Sequence, residues 1–333
     1  LDVHKETIVI AVAESGRGRA KAWKTIPYDL ARLVKAMHLL AGGGELMICY
    51  EAGPTGFGVY RALTDAGYAC QVVAPSLIPV KSGNKVKTDR RDAAKLAHFL
   101  RSGDLTAITV PDQQREAIRD LERCRDDAKK AEHVARQQLT KFLLRHDLRF
   151  NGGRAWTSRH HDWIRALKLD DEVMQLVLDD CLKAVEDATE RVARLTQHLE
   201  EKILLSSLAP LYQGLMALRG VATVTAATIA AEVGDFRRFP TAKQFMAYVG
   251  LTPSEDSTGL RVQRGPVTKC GNRHVRRLLV EAAHHYRHRP AKNQALRKRS
   301  AELPAEVQAI GWQAQKRLHR RLGALTARGK PYN

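Results

Sequence analysis

The stretch Leu46-Met47-Ile48-Cys49-Tyr50-Glu51 decides the fold. Five apolar or aromatic residues are too few for a buried helix, and Gly42-Gly43-Gly44 stands just before them. The pattern predicts a short buried β-strand that ends on an acid. On its N-terminal side, Leu30–Leu40 has helical spacing, and the triple glycine stops it. Earlier still, Val3–Val12 is rich in β-branched residues, and Arg17–Ile26 is placed to pair with it as a hairpin turned at Ser15-Gly16-Arg17-Gly18. On the C-terminal side, Thr55–Ala66 predicts a helix closed by Gly67, and Ala69–Val73 a strand. Ser76–Lys87 reads as a basic connection, and Asp89–Leu100 as a helix opened by Thr88 as N-cap. This ββ-α-β-α-β-α order predicts a mixed α/β domain over residues 1–110.

Four carboxylates stand out by their place in that pattern. Asp2 opens the first strand, Glu51 ends the strand 46–50, and Asp89 and Asp92 lie on one face at the head of a helix. Taken singly, each has an ordinary explanation; Asp89, for example, suits a helix N-terminus through the dipole. Together they match what two hard divalent cations need, several carboxylates converging from different elements. An RNase H-like fold can supply them, with Mg²⁺ or Mn²⁺ as the metal. Lys85, Lys87, Arg90 and Arg91 crowd the last pair, which suits a phosphate backbone running past the site.

The bulk charge points the same way. Lys and Arg total 55 against 36 Asp and Glu, for a net charge of +19, which implies a polyanionic partner. From Arg261 to Lys330 there are 18 Lys or Arg and only Glu281, Glu302 and Glu306 against them. Such a block repels itself unless phosphates neutralise it. The five cysteines form no CxxC pair, so zinc-site spacing is absent, and their scatter fits a reducing cytoplasm. No apolar run approaches the ~20 residues a membrane-spanning helix needs. The sequence opens at Leu1 without Met, directly in a strand-like segment, so a few N-terminal residues are expected to precede it.

Between residues 111 and 207 the strand signals vanish. Gln113–Phe150 and Asp171–Leu205 read as charged helices with apolar stripes, such as Val185, Ala188, Val192, Leu195 and Leu199. The second stripe approaches heptad spacing and suits either an antiparallel hairpin or self-association as a coiled coil. From 208 to 333 the expectation is a basic, mostly α-helical domain. There Leu218-Arg219-Gly220-Val221-Ala222 precedes a small-residue helix, Thr223–Val233, with the look of a helix-hairpin-helix. Further on, Gly250-Leu251-Thr252-Pro253 leads into Ser254-Glu255-Asp256-Ser257-Thr258-Gly259. Hydroxyl residues beside Asp and Gly ordinarily mark a turn. Here Arg261, Arg264, Lys269, Arg273, Arg276 and Arg277 follow closely. A hydroxyl amid guanidinium groups can attack a phosphodiester, because cations stabilise the alkoxide and the charged transition state.

Leu-Asp-Val-His-Lys at 1–5, Tyr-Glu-Ala-Gly-Pro-Thr-Gly at 50–56 and Lys-Thr-Asp-Arg-Arg-Asp-Ala at 87–93 resemble the DEDD motifs of bacterial insertion-sequence transposases. The resemblance continues at 250–255 and at Lys269-Cys270-Gly271-Asn272, in the family's order. It implies a Holliday-junction-resolvase-like (RuvC-like) N-terminal domain holding Mg²⁺ or Mn²⁺ on Asp2, Glu51, Asp89 and Asp92. It also implies a serine that links covalently to a DNA end. Family members carry that serine directly before a glycine; here Thr258 holds that place and Ser257 stands one earlier. Ser257, the less hindered primary alcohol, is the expected nucleophile, with Thr258 as rival.

The resemblance further implies donor and target DNA as partners and a guide noncoding RNA encoded by the element. The expected place of action is the bacterial cytoplasm, at the nucleoid. Strand exchange must hold two duplexes, so a homodimer or tetramer is expected. The loop lies in a different part of the chain from the carboxylates, so the active site would be assembled from two parts. The alternative is a metal-dependent Holliday-junction-type endonuclease without a covalent intermediate. A third reading is an idle nucleic-acid-binding protein that has kept the fold. An actin-like ATPase is disfavoured, because Gly42-Gly43-Gly44 lacks the Lys-Ser or Lys-Thr of a phosphate loop.

Overall fold

The computed structural model describes residues 1–79 and 88–330. The chain divides into two compact units, Leu1–Val110 and Pro111–Asn333.

In the first unit, β1 (Asp2–Val3), β2 (Thr7–Val12) and β3 (Lys21–Pro27) form an antiparallel sheet in that order. The β-branched run from Val3 to Val12 is therefore not one strand. Its polar interruption, His4-Lys5-Glu6, turns the chain back, with the His4 N–H donating to the Thr7 carbonyl at 2.9 Å. β4 (Met47–Glu51) and β5 (Ala69–Val73) pair in parallel. β1 runs beside β4, and the Leu1 nitrogen donates to the Cys49 carbonyl at 2.6 Å.

Three helices cover these strands. α1 (Leu30–Ala41) is capped by Asp29 and stopped by Gly42 in the left-handed region. α2 (Gly58–Asp65) starts three residues later than the sequence suggests, because Gly56 takes φ +68° and its carbonyl accepts from the Tyr50 hydroxyl. Both helices bury their apolar faces on Ile8, Ile10, Ile48, Tyr50 and Val72. α3 (Asp89–Ser102) lies on the other face of the strands, where Leu96 packs with Cys49 and Val73.

The second unit is built on a helical hairpin, α4 (Gln113–Arg145) and α6 (Glu172–Leu204). The short α5 (Ser158–Ala166) between them, opened by Thr157, was hidden in the sequence by the Gly-Gly-Arg loop and the tryptophans. The pairing is antiparallel: Leu139 and Phe142 meet Leu178 and Leu182 at one end, and Ile118 meets Leu199 and Ile203 at the other. Between these ends, Arg125 Nε donates to Thr196 Oγ1 at 3.0 Å and the Thr189 hydroxyl to Glu132 Oε1 at 3.3 Å. The stripe on 171–205 thus finds its partner inside the chain, and its need for burial no longer argues for self-association.

α7 (Ala209–Leu215) and α8 (Thr223–Val233) flank a turn in which Gly220 has φ +81°. A Cβ there would stand 2.7 Å from the Ala282 carbonyl oxygen, so only glycine allows this approach. α8 is buried from Ala226 to Val233 and shares its core with Ile118, Leu199 and Tyr212. The stretches expected as connector and C-terminal domain therefore share one core. The remaining elements are α9 (Ala242–Tyr248), the hairpin β6 (Pro253–Glu255) with β7 (Arg264–Val267), α10 (Arg273–His284), α11 (Gln294–Ser300) and α12 (Ala305–Ala327).

A buried polar network ties α4, α8 and α10 together. Glu122 is 1% exposed and accepts from the Thr228 hydroxyl at 2.7 Å and from His274 Nε2 at 2.9 Å. Beside it, Glu232 accepts from Asn272 at 2.8 Å and pairs with Arg123. The hydrogen bond to Glu122 raises the His274 pKa above its ordinary value, opposed by burial and Arg277 and supported by the charges of Glu122 and Asp126. A group with a raised folded pKa contributes stability that is complete below its unfolded value, near pH 6.5, and is lost as pH rises through the folded value. Urea melts of the wild type should show that decline on the alkaline side. In His274→Gln the decline should flatten, with a loss of about 1–3 kcal/mol at low pH. An unchanged pH profile would remove His274 from the network's energetics.

Candidate active site

Strand register decides where the carboxylates go. Along β4, Ile48 and Tyr50 point into the α1/α2 core while Cys49 packs on α3, so alternation turns Glu51 to the α3 side. Asp2 stands opposite Val9. Ile8 and Ile10 face the α1/α2 core, so Val9 and its cross-strand partner Asp2 face α3 as well. α3 brings Asp89 and Asp92 in its first turn, in line with buried Leu96. Thr88 accepts the Arg91 N–H at 3.4 Å, and the two acids sit at the favourable end of the helix dipole.

All four carboxylates line one cavity of about 1130 Å³, together with His4, Lys5, Tyr28 and Lys95. Ligand atoms of Asp2, His4 and Asp89 lie within 4.8 Å of one another. His4 Nε2 is 3.2 Å from Asp2 Oδ2 and 3.7 Å from Asp89 Oδ1. Sequence reasoning missed His4. The available signal was its place two residues after Asp2, the spacing that shares a strand face. A set of carboxylate oxygens with one imidazole suits a hard divalent cation. Arg90 and Arg91 are exposed on the first turn of α3, whereas Lys85 and Lys87 lie outside the described residues.

The hydroxyl loop belongs to the second unit. Two glycines fix its base: a Cβ on Gly250 would stand 2.0 Å from the Cys270 carbonyl oxygen, and one on Gly271 2.2 Å from that of Tyr248. Both take positive φ, as does Lys269, two residues before Gly271. Asn272 then caps α10. From that base β6 and β7 project an exposed hairpin whose tip carries Ser257, Thr258 and Gly259.

The Ser257 hydroxyl donates to Glu255 Oε1 at 2.9 Å, and its oxygen accepts the Gln263 N–H at 3.2 Å. Arg264 Nε donates to Glu255 Oε2 at 3.2 Å. The hydrogen bond from Ser257, then that from Arg264, holds the Glu255 carboxyl below its usual range. Thr258 is tied by its backbone to Arg261 at 3.0 Å in both directions, and its hydroxyl has no hydrogen-bond partner among the described residues.

The basic residues expected to bind phosphate differ in their engagements. Arg276 donates to the Val249 carbonyl at 2.8 Å and serves the joint at Gly250. Arg277 pairs with Asp126 and Glu281, and Arg264 with Glu255. Arg261, Lys269 and Arg273 are exposed, with no side-chain ion pair among the described residues.

An α/β unit with a carboxylate-lined cavity is thus followed by a basic helical unit with a hydroxyl-bearing hairpin. The chain belongs to the insertion-sequence DEDD transposase family. Residues 1–146 match a family model described as a transposase, of the DEDD kind found in IS110 elements, and residues 212–299 match the transposase IS116/IS110/IS902 family. The chain is 42% identical to y4qE of Sinorhizobium fredii, a protein whose name calls it a transposase, over 99% of this chain and 82% of that one. It is 30% identical to the transposase for insertion sequence element IS1533 of Leptospira borgpetersenii, over 99% of this chain and 96% of that one. Among the described residues no helix is long and apolar enough to cross a membrane.

Proposed function

We propose that the protein is a metal-dependent DNA recombinase that cuts, exchanges and rejoins strands to move an insertion sequence. One observation carries this reading: four carboxylates from three separate chain segments line a single cavity. The sheet order β3-β2-β1 with β4-β5 alongside, the first three strands antiparallel and the last two parallel, supports an RNase H-like, RuvC-like unit over 1–110. On this reading Asp2, Glu51, Asp89 and Asp92 hold Mg²⁺ or Mn²⁺, with His4 as an added donor. The bound metal supplies Lewis acidity to the scissile phosphate. The remaining tasks fall to the chain itself. Ser257 attacks phosphorus and keeps the strand as a phosphoserine ester, which conserves bond energy and needs no ATP. Arg261, Lys269 and Arg273 hold phosphates.

The excess of positive charge, +19, suits an element-encoded guide RNA in addition to donor and target DNA. Exchange between two duplexes calls for a dimer or tetramer. The alternative, a junction endonuclease that uses water, employs the carboxylates alone and leaves the Ser257–Glu255 pair without a task.

The test is strand exchange between labelled donor and target duplexes in Mg²⁺, with the RNA that copurifies or after its digestion. Joined recombinant strands that depend on the RNA are expected. Nicked products that never join, with or without RNA, would favour the junction endonuclease.

A further inference from the structure

Two groups hold the Ser257 hydroxyl, and a third holds one of them. It donates to a carboxylate oxygen of Glu255 at 2.9 Å, its oxygen receives the Gln263 N–H at 3.2 Å, and the far oxygen of that carboxylate is fixed by Arg264 Nε at 3.2 Å. This is a nucleophile, a base within reach, and a third group that orients the base. A short hairpin builds it: Glu255 ends β6, Arg264 begins β7, and the two stand opposite each other in the ladder. The Gln263 amide directs the Ser257 lone pairs, so the O–H points to the carboxylate. The Thr258 hydroxyl, one residue on, has no such partner among the described residues.

We propose that Glu255 is the general base for Ser257, with Arg264 as the residue that positions it. The inference rests on Ser257 being the nucleophile. As Ser257 Oγ attacks, the Oγ–P bond forms and the Oγ proton passes to Glu255 Oε1. The bond from phosphorus to the departing sugar oxygen breaks; that oxygen keeps the electron pair and is protonated by water. In rejoining, the sugar hydroxyl gives its proton back to solvent as its oxygen attacks the phosphoserine phosphorus, the P–Oγ bond breaks, and Glu255 returns the proton it took to Ser257 Oγ. Arg264 holds the carboxylate ionised and aimed before the first step. Its charge therefore serves the protein's own base before it serves a phosphate.

The test is the initial rate of covalent protein–DNA adduct formation by the full-length protein with its copurifying RNA. The substrate is a labelled duplex from the flank of its own gene, followed from pH 5 to 9. Glu255→Gln should slow the adduct by about 10²–10⁴-fold at neutral pH. Its rate should then climb roughly tenfold per pH unit, where the wild type has levelled off, as hydroxide takes over the base's task. Glu255→Asp should recover part of the rate, and DNA affinity should be unchanged in both. A wild-type rate and pH profile in Glu255→Gln, while Ser257→Ala makes no adduct, would overturn the base and leave the nucleophile standing. A uniform slowing with the wild-type pH profile would also overturn it, since the carboxylate would then merely shape the hairpin. An adduct that survives in Ser257→Ala would remove the nucleophile, and the base with it.

Discussion

Asp2→Asn, Glu51→Gln and Asp92→Asn should each cut strand cleavage in Mg²⁺ by about 10³-fold or more while leaving the fold intact. The three changes keep the size of the side chain and remove one charge. Two cations held close together would depend on several carboxylates to offset their mutual repulsion, so losing one charge would lower the site's affinity for them. The fold should not suffer, because these side chains line a cavity rather than fill the core, and Glu51 is exposed. Removing one member of a cluster of like charges also relieves repulsion. Cleavage by the wild type should vanish in excess chelator and return with Mg²⁺ or Mn²⁺. Full activity in chelator, or full activity in all three variants, would show that the cavity is not where the chemistry happens.

Ser257→Ala should eliminate the covalent protein–DNA adduct without weakening DNA binding. The hydroxyl makes two hydrogen bonds within an exposed hairpin, so its loss costs little stability. It removes the hydroxyl that donates to the Glu255 carboxylate. Thr258→Ala should be milder, because that hydroxyl contacts no base among the described residues and its backbone pairing with Arg261 does not need the side chain. The reverse result, an adduct that survives in Ser257→Ala and is lost in Thr258→Ala, would make threonine the nucleophile. If neither change affects exchange, water is the attacker.

Much of the first unit was legible because its signals are local. The run 46–51 is a strand for reasons of length and burial, and Gly42 and Gly67 end helices by taking the left-handed region. Asp2 and Glu51 were found as a strand start and a strand end. Their convergence depends on register, which sequence periodicity sets only once the pairing is known. The same limit hid His4. The β-branched run 3–12 read as one strand because propensity does not see that three polar residues can reverse the chain. In the second unit the stripe on α6 was plain, but which surface it meets is a tertiary fact; α4, more than thirty residues away in sequence, takes it. The arginines show the limit most clearly. Composition cannot separate Arg276, which serves the Val249 carbonyl, from Arg273, which is exposed beside it.

A recombinase of this kind passes through a covalent protein–DNA intermediate, which can be isolated and sequenced. Protein incubated with labelled donor duplex, its copurifying RNA and Mg²⁺ is denatured in mid-reaction and digested with protease, and the nucleotide-bearing peptide is sequenced by mass spectrometry. The expected result is a single modified residue, Ser257, carrying DNA through a phosphoester. Cleaved DNA in the same tube with no peptide attached would contradict it and leave a hydrolytic endonuclease.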